Sequence, residues 1–256
     1  TNPQDISSDF TKLSESSYQF TMPDYDVCVD FKCEEKVASG TEAGDFIISD
    51  ANCNYSFDTT SRTLTLSGGG RATISMKSGV PSTSDCIKIA AGSNINLTIK
   101  NLTVSAPQRD VSGLTFSNNI GDCRLILEGT NTFTSDKENT PAVRKQTFGK
   151  LTISGKGKLI AIATGDKSNG IGSGDCGDLY IEGGTIYAKA SHNNMAIGYG
   201  YDQNGSTVYY TGGTVEGICE NAQFYGGLTG QNAKVTITGG SIHYMNKGFS
   251  SFSNHI

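Results

Sequence analysis

Two glutamates, three aspartates and a group of tyrosines are the residues whose types and spacing could do chemistry in this chain. Glu128 and Glu182 stand before glycine corners in similar phrases, LILEGTNTF at 125–133 and LYIEGG at 179–184. If they share an outward column two rungs apart, they lie about 10 Å from each other at ~4.8 Å per strand. Glycoside hydrolysis wants its acid and base within about 9.5 Å, so the two read as solvated carboxylates and no catalytic residue is assigned. Asp122, Asp175 and Asp178 fall near one edge, with Arg124 and Lys150 close by. Carboxylates so placed could hold calcium, and a basic neighbour could take the acidified proton of a uronide. An aspartate in a turn also bonds its own backbone and needs no metal for it. His192, His243 and His255 share no spacing, which leaves a histidine metal site or a Ser/His/Asp triad unsupported. The GSGDCG run at 172–177 lacks the Lys and the following Ser/Thr of a phosphate loop.

Binding has more support than catalysis. There is no Trp, but eight of the eleven tyrosines lie after residue 179. Strand alternation puts Tyr180 and Tyr209 in one outward column on neighbouring rungs. Tyr187 faces outward beyond the next corner, beside Glu216 and His243, and Tyr199 and Tyr201 flank Gly200. Repeated ring faces could stack on sugars, with Glu182, Thr236 and Asn204 supplying hydrogen bonds. The competing reading is that tyrosine suits strands and pairs well across them. Outward Thr65, Thr98, Thr152 and Thr236 would suit an ice-binding face, were the row not broken by Ile126, Tyr180 and Tyr209.

The elements that must position these residues repeat along the chain. DLYIEGGTIYAKA at 178–190 is rewritten as LTLSGGG (64–70), LTIKNLTVSA (97–106), LTISGKGKLIAIA (151–163), VYYTGGTVEG (208–217) and VTITGGSIHYM (235–245). Anchored on Leu66, Ile99, Leu127, Ile153, Ile181, Tyr210 and Ile237, the steps are 33, 28, 26, 28, 29 and 27 residues. Short alternating strands and glycine corners at such a period predict stacked coils, whose rungs bury a shared interior that no single rung could bury. The fold class expected is all-β, a right-handed parallel β-helix of about seven rungs. GIGSG (170–174), AIGYG (196–200) and YGGLTG (225–230) suggest a third strand per turn. A β-sandwich with glycine-rich hairpins is the alternative.

Composition bounds the rest. At 256 residues the chain can bury a sizeable core, and its 32 glycines exceed the usual share of about 7%. A net charge of −5 disfavours nucleic acid, and no apolar run long enough to span a membrane occurs. The seven cysteines form no CxxC pair and read as buried free thiols, with Cys28–Cys33 the one disulfide alternative. Residues 1–60 are expected to be linker and N-terminal cap strands, and 61–256 the β-helix. The chain begins at Thr1 and reads as one monomeric module of a longer multidomain protein.

Two resemblances add to this. Residues 18–33, YQFTMPDYDVCVDFKC, resemble the closing strands of a bacterial surface repeat module with the signature YxFTMPxxDVxV, matched at Tyr18, Phe20, Thr21, Met22, Pro23, Asp26, Val27 and Val29. LILEGTNTFT, GIGSG, AIGYG and VTITGGSI resemble the carbohydrate-binding β-helix domains of clostridial and other gut-bacterial surface proteins. The resemblances imply an extracellular, secreted or wall-associated bacterial adhesin that binds a polysaccharide or host glycan, in some relatives with calcium. A calcium-dependent polysaccharide lyase and a structural stalk are the alternatives.

Overall fold

The computed structural model describes residues 10–14, 17–20, 40–146, 148–173, 177–191, 194–199, 207–220 and 234–246. The chain divides into two compact units, Thr1–Val37 and Ala38–Ile256. In the first, Phe10–Ser14 and Ser17–Phe20 pair as an antiparallel hairpin. The rest of the stretch that resembles the repeat module, residues 21–33, lies outside the described residues.

The second unit is an all-β solenoid with no helix among its described residues, made of three sheets of nine, seven and six strands. We call them sheets 1, 2 and 3. One turn runs through all three, as in Leu114–Phe116 on sheet 2, Asp122–Glu128 on sheet 1 and Thr130–Ser135 on sheet 3. Five such turns are complete, and every neighbour from one turn to the next is parallel. The third strand per turn exists at two of the places the sequence suggests, with Ile171–Ser173 pairing Ile197–Tyr199; residues 225–230 lie outside the described residues. Ile153 lies directly beside Ile181.

Alternation explains the core. On sheet 1 the inward column Ala72, Leu97, Leu125, Ile153, Ile181, Tyr210 is buried, and it ends at Ile237, which is exposed on the last described rung. Sheet 3 answers with small residues, Ala161, Ala188 and Gly217 following Phe133. A Cβ on Gly217 would lie 2.3 Å from the ring of Tyr244. That ring reaches across to sheet 2, where its hydroxyl accepts the Ile197 N–H at 2.8 Å. Cys53, Cys86, Cys123 and Cys219 are free thiols, the last three buried, as expected; Cys28, Cys33 and Cys176 lie outside the described residues. Two of these thiols accept main-chain bonds: Cys123 Sγ accepts from Ile95 N–H on the preceding turn at 3.4 Å, and Cys219 Sγ accepts from Ala196 N–H at 3.2 Å, joining the sheet 3 end of one turn to its sheet 2 start.

Three sequence expectations change. Leu66 belongs to sheet 2, and Ile74 takes its place beside Ile99. Leu127 lies beside Gly155, so Ile153 pairs with Leu125 instead. The reason is local: Gly155 occupies the last inward position of its strand at φ +102°, where a Cβ would stand 2.5 Å from the Leu127 carbonyl oxygen. Finally, residues 41–58, within the stretch expected to be linker and cap, form three strands of the solenoid's own sheets. Thr41–Ala43 and Phe46–Ser49 join sheet 1, Asn54–Asp58 joins sheet 2, and all three pair antiparallel.

Candidate functional site

The outward side of sheet 1 gathers most of the residues singled out in the sequence. Register defines three adjacent rows there. The central row runs Arg71, Asn96, Arg124, Thr152, Tyr180, Tyr209, Thr236. One side row contains Asp122 beside Lys150 and, on later turns, Asp178, Thr207 and Lys234. The other holds Thr73, Thr98, Ile126, Ser154 and Glu182.

Tyr180 and Tyr209 come together as expected. Their rings stack with centroids 4.2 Å apart and planes 9° from parallel. Backbone ladders hold the two strands at about this spacing, so the pair is set by the fold and needs no ligand to form. Lys150 places its ammonium 4.3 Å from the centroid of the Tyr180 ring, a cation–π contact worth about 0.5–1 kcal/mol at an exposed site. Burial raises the Tyr180 phenol above its ordinary value, and the hydrogen bond and charge of Tyr209 raise it further, with Asp178 and Asp122 adding to the effect. Two strands away from Glu182, Arg124 Nη1 donates to its Oε2 at 2.7 Å. This pair reaches over the intervening strand, where Thr152 is only 3% exposed although it points outward.

The stacking also changes what the rings can offer. Each tyrosine spends one face on the other, and Lys150 lies over the Tyr180 ring. What the pair presents outward is ring edges and phenol hydroxyls, flanked by fixed charges. It is a hydrogen-bonding row more than a flat platform.

The other candidates scatter. Tyr187 lies on sheet 3, in the row Ile160, Tyr187, Glu216, His243 that alternation predicts, and not on the face of Tyr180. Tyr199 ends a strand of sheet 2, and Tyr201 and Asn204 lie outside the described residues. The described residues among those expected to bind ligand are therefore spread over three sheets: Tyr180, Tyr209 and Glu182 on sheet 1, Tyr187 on sheet 3 and Tyr199 on sheet 2. Glu128 and Glu182 do not share a column either: Glu128 pairs with Lys100, two positions further along the strand than the row of Glu182. The threonine row separates likewise, Thr65 going to sheet 2 and Thr98 to a different row from Thr152 and Thr236.

Of the proposed calcium ligands, Asp175 lies outside the described residues. Asp122 and Asp178 share a row with Lys150 between them. Asp178 Oδ1 accepts the Thr207 N–H of the next turn at 3.0 Å, so one of its oxygens bonds the main chain. Among the described residues no group of three His, Cys, Asp or Glu is arranged to hold a metal ion.

A concavity of about 620 Å³ opens away from the tyrosines, at the corner between sheets 1 and 3, edged by Glu128, Thr130, Lys156, Lys158 and Thr185. Its walls are largely exposed chains and glycine backbone, and no group in it is set against a reacting atom.

Sequence reasoning missed Phe148. It sits at the corner entering the strand Lys150–Gly155, two residues before Lys150, and is 58% exposed. Its backbone takes φ +59° and Gly149 follows at +77°. The only cue is an aromatic in a polar corner, QTFGK at 146–150.

Comparison with protein-family models, with curated proteins and with solved structures returned no match.

Proposed function

We propose that this chain is a non-catalytic carbohydrate-binding module of a secreted or surface-attached bacterial protein, with the outward side of sheet 1 as its contact surface. The reading includes a right-handed coil, the hand taken by nearly all parallel crossovers. It also counts seven rungs, five complete and one partial at either end, with the strands between 41 and 58 serving as the N-terminal cap. The observation that carries the reading is the stacked Tyr180–Tyr209 pair, held rigid beside Lys150, Arg124 and Glu182. Hydroxyls and fixed charges in a straight row suit a linear polymer of sugars, which meets the same spacing at each turn. Calcium enters this proposal as an optional ligand at Asp122 and Asp178.

A second reading, a structural stalk, draws on the same stack, because rings that face each other stabilise a sheet without any ligand. Sedimentation with a panel of insoluble and soluble polysaccharides, run with and without chelator, separates the two. The double variant Tyr180→Ala, Tyr209→Ala is expected to fold and to lose retention. Unchanged retention removes this surface, no retention by the unaltered protein favours the stalk, and release of unsaturated sugars would mean a lyase.

A further inference from the structure

We infer that Phe148 is a ligand-contacting residue of the same site, adding an exposed aromatic face beside the stacked tyrosines, and that buried Lys145 is the positioning residue that presents it. This rests on the carbohydrate-binding reading. Three observations lead to it.

Phe148 is the most exposed of the large apolar side chains among the described residues, so its ring lies in water at a cost the fold does not recover. Its backbone also occupies the left-handed region, which a bulky side chain rarely adopts. Strain of that kind persists where the surroundings enforce it, and it concentrates at sites of recognition.

The enforcement is visible beneath the ring. Lys145 is fully buried and points into the coil. Its ammonium donates to the carbonyl oxygens of Gln146 at 2.7 Å and Phe148 at 2.8 Å. Burying an ammonium is unfavourable unless carbonyls or charges replace its water, so these bonds are part of what permits it, and they tie the corner to the buried lysine. Neighbouring turns close from both sides: a Cβ on Gly149 would stand 1.9 Å from the Ile120 oxygen, and one on Gly177 would stand 2.7 Å from the Phe148 carbonyl carbon. The corner cannot relax inward.

The locked ring stands at the start of the strand whose first residue, Lys150, lies over Tyr180. The apolar face of a sugar ring is the partner this arrangement fits, since the neighbouring row offers hydroxyls and charges to the same molecule.

The test uses the full chain and a panel of microcrystalline cellulose, xylan, chitin and polygalacturonate, with affinity measured for whichever is retained. Phe148→Ala is expected to weaken binding about ten-fold, with the melting temperature unchanged, while Phe148→Trp keeps it. Lys145→Met is expected to weaken binding too, and the double variant Phe148→Ala, Lys145→Met to lose no more than Phe148→Ala alone, since the lysine acts through the ring. Additive losses would reduce Lys145 to a purely structural part and overturn its assignment. Full affinity in Phe148→Ala would overturn the contact while leaving the Tyr180–Tyr209 surface standing, including the case in which Phe148 meets a protein instead. If the unaltered protein retains no polysaccharide, both proposals fall together.

Discussion

Tyr209 and Tyr210 are neighbours in sequence and opposites in circumstance. Tyr209 points out, half-buried, and stacks on Tyr180; Tyr210 points in, fully buried, and its hydroxyl finds no partner among the described residues. The inside of sheet 1 is a column in which every turn depends on the next. The outside is a set of rows whose members lie apart from that column and meet one another through the Tyr180–Tyr209 stack and the Arg124–Glu182 pair. The same residue type is therefore structural in one position and available for recognition in the other, and only the parity of the strand decides which.

The largest effect that would sharpen this contrast is expected from the interior. Ile153→Ala should destabilise the coil by about 2–5 kcal/mol, read from denaturant unfolding, because a buried aliphatic chain is lost and its cavity cannot collapse. A loss comparable to that of an outward substitution would break the contrast.

The next effect comes from a buried thiol. Burial pushes Cys219 up to about 11 from its ordinary 9.0. The folded chain then holds this proton after the unfolded chain has released it, so the stabilisation is complete below about pH 9 and is lost as pH rises towards 11. Cys219→Ala should make the fall in unfolding free energy between pH 8 and 11 shallower by about 2 kcal/mol. An identical slope would mean the thiol ionises as freely folded as unfolded.

The smallest is expected at Tyr210. Deleting its hydroxyl removes a buried polar group without opening a large cavity, so Tyr210→Phe should be neutral or stabilising by about 1 kcal/mol. A clear destabilisation would show that the hydroxyl is bonded after all.

Much of this architecture could be read in advance because side-chain parity and a fixed period are written residue by residue. Ile153 beside Ile181, Tyr180 on Tyr209, and Tyr187 beside Glu216 follow from counting alone. Counting failed where two strands carry the same alternation. TLTLS at 63–67 and RATISM at 71–76 both fit the pattern, and which of them stacks beneath LTIK at 97–100 depends on the turn that follows. It failed again at Gly155, where a residue without a side chain fills an inward position and gives no apolar mark. The antiparallel strands between 41 and 58 gave no repeat to find. Phe148 escaped for a different reason: an exposed aromatic in a left-handed turn is recognisable by its backbone angle and its buried lysine, neither of which periodicity reveals.

The division of labour between the two sides of sheet 1 bears on how such a protein can change over time. Because the separation between turns is fixed by main-chain bonding, a substitution in an outer row alters one step of the ladder and leaves its neighbours where they were. On the proposed carbohydrate-binding reading, affinity for a different polymer is acquired a step at a time, and copying a whole turn of about 28 residues would lengthen the row in register. Variation should then collect on the outside, while the inner column stays nearly silent.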